Sequence, residues 1–138
     1  MQCPICGSTR FKARGKRLNA RCVICGAMER TRFMYLVLKA LGLLKPGIRI
    51  LHIAPEMGLM KVFSQLSPAK YHPCDISPQN YENDFCKVFP IDLCKDLDKL
   101  PKQCFDLIIH NHVLEHIPND TKAMQELYRI LTLGGWGR

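Results

Sequence analysis

The stretch CPICG at Cys3 to Gly7 returns as CVICG at Cys22 to Gly26, so the chain opens on C-x2-C-x15-C-x2-C. No other feature limits its folding as tightly. Two residues between thiols let one tight turn aim both sulfurs at the same ion, and the glycine after each pair lets the backbone fold back beneath them. A redox pair or an accidental repeat accounts poorly for duplicated knuckles at this spacing. Four thiolates close a tetrahedral shell and leave no open position, which predicts a structural zinc held by Cys3, Cys6, Cys22 and Cys25. A unit of about 27 residues cannot bury a core of its own, so metal binding supplies its folding free energy. Between the knuckles, RFKARGKRLNARC reads as a basic hairpin turning near Gly15 or Asn19. Cys74, Cys86, Cys94 and Cys104 show no such pairing and read as small buried hydrophobes.

Charge separates this segment from the rest of the chain. Residues 1–49 carry eleven Lys and Arg against the single acid Glu29, a net +10, whereas residues 50–138 carry nine against eleven acids, a net −2. The basic part offers a surface to an acidic partner such as nucleic acid, and it equally offsets the negative charge of a thiolate metal site. With 47% apolar and 23% charged residues, the composition is that of a soluble globular protein without a membrane span. MQCPICGSTR has no apolar core of a secretory signal, and eight cysteines without a disulfide framework fit a reducing, cytoplasmic setting.

The remaining chain alternates helix and strand patterns. ERTRFMYLVLKALGLL places Phe33, Leu36, Val37, Ala40, Leu41 and Leu44 at helical spacing and is expected to end at Lys45-Pro46-Gly47. Ile48–Ala54 is a short apolar run that reads as a buried strand. MGLMKVFSQL comes next as a helix with Leu59, Met60, Phe63 and Leu66 on one face. KYHPCDI is a weaker strand because Pro73 lacks a donor, KVFPID is a short one, and FDLIIHN at Phe105–Asn111 is the clearest. A last helix is capped by Asn119 or Asp120, presents Ala123, Met124, Leu127, Ile130 and Leu131, and is stopped by Gly134 and Gly135. The expected organisation is a ribbon at 1–27, a linking helix at 28–47 and an α/β layer with a mostly parallel sheet at 48–138.

His112-Val-Leu-Glu-His116 matches an inverted zinc-protease signature, but the flanks forbid it. A strand pattern precedes it, Pro118 discourages helix at Ile117, and no later His or Cys is there to serve as an obvious third ligand. Those residues instead close a strand whose carboxyl end is where ligands bind in open α/β sheets. FDLIIHNHVLEHIPNDTKAMQELYRILTLGG resembles the fourth strand and following helix of class I S-adenosylmethionine-dependent methyltransferases of the type 11 group. With the ribbon, the chain is similar to a zinc-ribbon branch of that group. The resemblance implies a partial Rossmann-like sheet with helices on both faces and S-adenosylmethionine as cofactor. It implies that Ala54, Pro55, Glu56 and Gly58 wrap the methionine end, that Asp75 accepts the ribose hydroxyls, and that Asp92 with Leu93 contacts adenine. His110 and His112 would flank the sulfonium, while Glu115 and His116 tie the turn to neighbouring structure. The family's G-x-G-x-G loop is replaced here by APEMG, a variant loop.

No residue stands out as a general base, and the methyl acceptor is open. The alternative is a non-enzymatic zinc-ribbon module that binds nucleic acid or protein through its basic face. The family's sheet has seven strands, whereas four are placed here before LTLGGWGR, where a fifth should begin. The expectation is therefore an incomplete methyltransferase, inactive alone, with FDLII as an open apolar edge available for association.

Overall fold

The computed structural model describes residues 1–81, 83, 86–92, 96, 99–101, 104–110 and 120–137. A two-stranded hairpin, β1 (Phe11–Arg14) and β2 (Arg17–Cys22), precedes helix α1 (Glu29–Ala40). Then come β3 (Ile50–Ile53), α2 (Met57–Leu66), β4 (Tyr71–Asp75), β5 (Phe89–Pro90), β6 (Phe105–Ile109), α3 (Asp120–Ile130) and β7 (Leu131–Gly137). β3 to β7 form one sheet in the order β5-β4-β3-β6-β7, and every neighbouring pair is parallel. The described helices are all too short or too polar to cross a membrane.

The sheet is covered on both faces because its central strand is apolar on both. All four residues of β3 are buried. Ile50 joins Leu59, Met60 and Phe63 of α2 and Leu38 of α1 in one cluster. Leu51 and Ile53 join Leu127 and Ile130 of α3 in the other. Pro73 is accommodated because the β4–β5 ladder starts one residue later, at Cys74 opposite Phe89.

The first helix differs from expectation in rotation and length. Phe33, Leu36 and Leu41 are exposed, by 68%, 49% and 44%, and Thr31, Arg32 and Leu38 are buried instead. The cause is Arg32. Its guanidinium donates to the carbonyls of Asn19 (2.9 Å), Ala20 (3.1 Å) and Ala27 (2.8 Å) and lies 4.9 Å above the Phe11 ring. Four polar and π contacts to one cation outweigh the burial of an apolar stripe and fix the helix azimuth. The helix stops at Gly42 and not at Lys45-Pro46-Gly47. Gly42 has φ +72°, its amide bonds to Lys39 O, and the Leu43 amide bonds to Leu38 O, a Schellman pair in which Leu38 and Leu43 are both buried.

At the other end, α3 gives way to β7 without a glycine stop. Leu131, expected on the helix, pairs with Phe105, and Gly134 and Gly135 lie inside the strand. The Cys104 amide already bonds to Ile130 O, so the helix end is held against the start of β6 and the chain continues along it. The sheet thus has five strands and not four. β6 is paired on both sides, with β3 and β7, and is not an open edge.

Replacing Arg32 by Met removes three hydrogen bonds to a charged donor at a buried position. Denaturant unfolding of the metal-loaded protein is expected to show a loss of about 2–4 kcal/mol. A loss below about 0.5 kcal/mol, the range of ordinary surface substitutions, would contradict the role of this cation.

Candidate functional site

The two knuckles repeat one backbone pattern. Gly7 N bonds to Cys3 O and Gly26 N to Cys22 O, while Cys3 N bonds to Ser8 O and Cys22 N to Ala27 O. Gly7 and Gly26 have φ of +80° and +78°, a region that glycine enters without strain. The four sulfurs lie within 4.8 Å of one another, with Cys3–Cys25 at 3.7 Å and Cys6–Cys22 at 3.4 Å. A tetrahedral ion with metal–sulfur bonds of about 2.3 Å requires edges of about 3.8 Å, so the cage fits such an ion with little adjustment. Burial pushes the Cys22 thiol up, but the amides of Cys25 and Ile24 and the Cys6 and Cys25 thiols outweigh it and bring it to about 6. Burial raises Cys6 and Cys25. The hairpin turns at Gly15, with Arg14 opposite Arg17. Asn19 lies within β2 at φ 58°, and its carbonyl is one of those held by Arg32.

The ribbon is seated on α2. A Cβ built on Gly58 would stand 2.8 Å from the Ala27 Cβ and 3.2 Å from the Ile5 Cδ1, and one on Gly26 would stand 3.4 Å from the Met57 Cγ. Gly58, read from sequence as part of a cofactor loop, is therefore also the floor on which the second knuckle rests. A lone glycine in the first turn of a helix pattern, MGLM, was the available signal, and it does not identify its partner.

Parallel pairing puts the carboxyl ends of β3 to β6 at one end of the sheet. After β3, Ala54 adopts φ 53° with its amide on Cys74 O, a left-handed backbone that glycine adopts more readily. Pro55 is buried, and Glu56 is the residue before α2, its side chain 11% exposed and 3.7 Å from His52 Nε2. His52 is fully buried and shares a 2.7 Å hydrogen bond with the Tyr71 hydroxyl, a pair the sequence pattern did not single out. Asp75 ends β4, half-buried, with Oδ2 accepting from the Ser77 amide at 2.8 Å. Asp92 follows β5, half-buried, its amide bonded to Asp96 Oδ2. His110 follows β6, and burial lowers its pKa. Topology thus brings the Ala54–Gly58 loop, Asp75, Asp92 and His110 to one end. Leu93 and His112, with Glu115 and His116, lie outside the described residues.

A family model described as a methyltransferase domain matches residues 56–137, more than half of the chain, and the chain belongs to that family. Among solved structures, it is 25% identical to the trans-methyltransferase CalH, determined in complex with SAH. That likeness covers 72% of this chain and 33% of CalH, with a TM-score of 0.53. A SAM-dependent methyltransferase from Archaeoglobus fulgidus is 19% identical over 72% of this chain and 48% of its own, with a TM-score of 0.55. The MccD protein is 17% identical over 77% and 51%, with a TM-score of 0.56. The latter two establish the fold alone. No curated protein matches. The chain spans from a third to about half of these structures, and the family match leaves the ribbon, α1 and β3 outside it.

A methyl group on residue 58 has no room unless the ribbon moves. Gly58→Ala is expected to cost about 1–3 kcal/mol in denaturant unfolding of the metal-loaded chain, by overpacking. Unchanged stability would show that the knuckle is not seated there.

Proposed function

We propose that this chain is the cofactor-binding part of an S-adenosylmethionine-dependent methyltransferase, with one structural zinc in its ribbon. The observation that carries the reading is the gathering of the Ala54–Gly58 loop, Asp75, Asp92 and His110 at the carboxyl end of a parallel sheet in a member of the methyltransferase domain family. Ligands of open α/β sheets bind at that end.

S-adenosylmethionine supplies, when bound, an electrophilic methyl carbon whose bond to sulfur breaks, leaving the pair on sulfur, as an acceptor lone pair bonds to carbon. The chain's own residues supply binding and orientation. Asp75, its Oδ2 steadied by the Ser77 amide, suits a vicinal diol because each carboxylate oxygen can accept one hydroxyl proton. Ala54 in its left-handed conformation turns the chain sharply after β3 and brings the amino terminus of α2 to the site, where aligned backbone amides favour a carboxylate. Asp92 and Leu93 take the adenine side. His110, whose charged form burial disfavours, suits a place beside a sulfonium; His112 is assigned to the same side. Zinc at Cys3, Cys6, Cys22 and Cys25 does no chemistry, since four thiolates leave no open position.

Native mass spectrometry is expected to find one zinc per chain, lost in Cys22→Ala and kept in a His112→Ala, His116→Ala double variant. The reverse pattern would revive the protease reading. Calorimetric titration of the zinc-loaded chain with S-adenosylmethionine is expected to give one site, weakened by about 1–3 kcal/mol in Asp75→Ala, because two ribose hydroxyls lose their acceptors. Unchanged affinity removes Asp75 from the site, and absence of saturable binding overturns the methyltransferase reading.

A further inference from the structure

We propose that the hairpin β1–β2 of the ribbon is a docking surface for the phosphates of a structured nucleic acid, which makes the methyl acceptor a polynucleotide. The assignment of the acceptor rests on the methyltransferase reading above; the docking surface does not.

Residues 1–28 contain six cations, Arg10, Lys12, Arg14, Lys16, Arg17 and Arg21, and no acid, and all six are exposed. Four thiolates around a divalent ion carry a net charge of about −2, so neutralising the metal site accounts for only part of this charge. The arrangement is also costly in itself. Lys12 stands opposite Arg21 and Arg14 opposite Arg17, and like charges directly across a ladder destabilise it. Arg17 is relieved by Glu29 at 2.7 Å. The other pair has no acid within ion-pairing distance among the described residues. A ribbon whose folding is driven by its metal can tolerate such pairs, and a polyanion laid along them removes the repulsion.

The kind of partner is set by what the hairpin lacks. Phe11 is its single aromatic, and its ring is covered by the Arg32 guanidinium at 4.9 Å. A single half-buried ring with a cation already over one face offers little for bases to stack on, so recognition runs through phosphates and not through unstacked bases. Cations in register on two strands suit a duplex, which presents one charge per about 1.7 Å of axis. The location suits delivery of an acceptor. Both knuckles continue into the hairpin, and their seat on Met57 and Gly58 adjoins the Ala54–Glu56 loop.

The test is fluorescence anisotropy of the zinc-loaded full chain with a duplex RNA of roughly 20 base pairs, alongside the same sequence as duplex DNA, as single strands, and with polyglutamate and phosphatidylserine vesicles as competitors. Binding to the duplexes is expected to fall about 100-fold between about 50 and about 200 mM salt, as some four phosphate contacts imply. Lys12→Gln with Arg21→Gln should flatten the salt slope by about 2 while zinc content stays unchanged and the melting temperature does not fall, since a like-charge pair is removed. The ratio of RNA to DNA affinity identifies the acceptor's sugar class. Salt-independent binding, no duplex binding at low salt, an unaltered slope in the double variant, or equal competition by polyglutamate or vesicles would each overturn the proposal. S-adenosylmethionine titration of the same sample separates the two readings. Cofactor binding without duplex binding sinks this inference alone, and duplex binding without cofactor binding leaves the surface but removes the acceptor assignment.

Discussion

Between Gly58 and Ala27 there is no room for a methyl group, and that close approach ties the four-cysteine ribbon to the parallel sheet. The ribbon is too small to hold itself together by burial, so its shape is proposed to depend on an ion shared by the four gathered thiols. Once formed, its second knuckle lies against the first turn of α2, and its backbone carbonyls at Asn19, Ala20 and Ala27 are gathered by Arg32 of α1. Two helices that cover the same face of the sheet are thereby anchored to the ribbon. The Ala54–Glu56 turn, between β3 and α2, is held at both ends: by the Ala54 amide on Cys74 O, and by the helix that the knuckle presses upon.

This arrangement explains which elements were legible in the sequence and which were not. β3, α2 and β6 could be read because their apolar residues answer to burial alone: Ile50, Leu51 and Ile53, Leu59, Met60 and Phe63, and Leu107 to Ile109 are buried where the sequence pattern puts them. The knuckles could be read because ligand spacing is a local property. The rotation of α1 could not, since a guanidinium and a threonine occupy the buried face and the apolar residues Phe33 and Leu36 are exposed. Its end could not either, because Gly42 competed with a more conspicuous Lys-Pro-Gly three residues on. LTLGG read as the tail of a helix with a glycine stop, yet strand pairing against Phe105 and Leu107 prevails there. Local glycine signals cannot report that an apolar strand lies alongside in want of a partner.

The site shows the same division. Asp75, Asp92 and His110 were named through the resemblance to the family, and the parallel sheet, which turns chain order into position, puts them at one end. The second duty of Gly58 and the buried His52–Tyr71 pair depend on tertiary neighbours that no spacing encodes. The family match begins at Glu56, directly before the Met57 and Gly58 seat of the ribbon, so the module outside the shared domain meets it at the loop where the cofactor is proposed to bind. A fold common to many methyltransferases is in this way joined to a basic module, to which selection of the acceptor is proposed here to fall.

The claim that everything else rests on is that the metal ribbon holds the amino terminus of α2 in place. Amide hydrogen exchange of the full chain, compared before and after zinc is removed by a chelator, tests it most directly. Protection should fall together in the knuckles and at the amides of Ala54 and Met60, which bond to Cys74 O and Glu56 O, while the amides of β6 keep theirs. Loss confined to residues of the ribbon, with Ala54 and Met60 unchanged, would contradict the account.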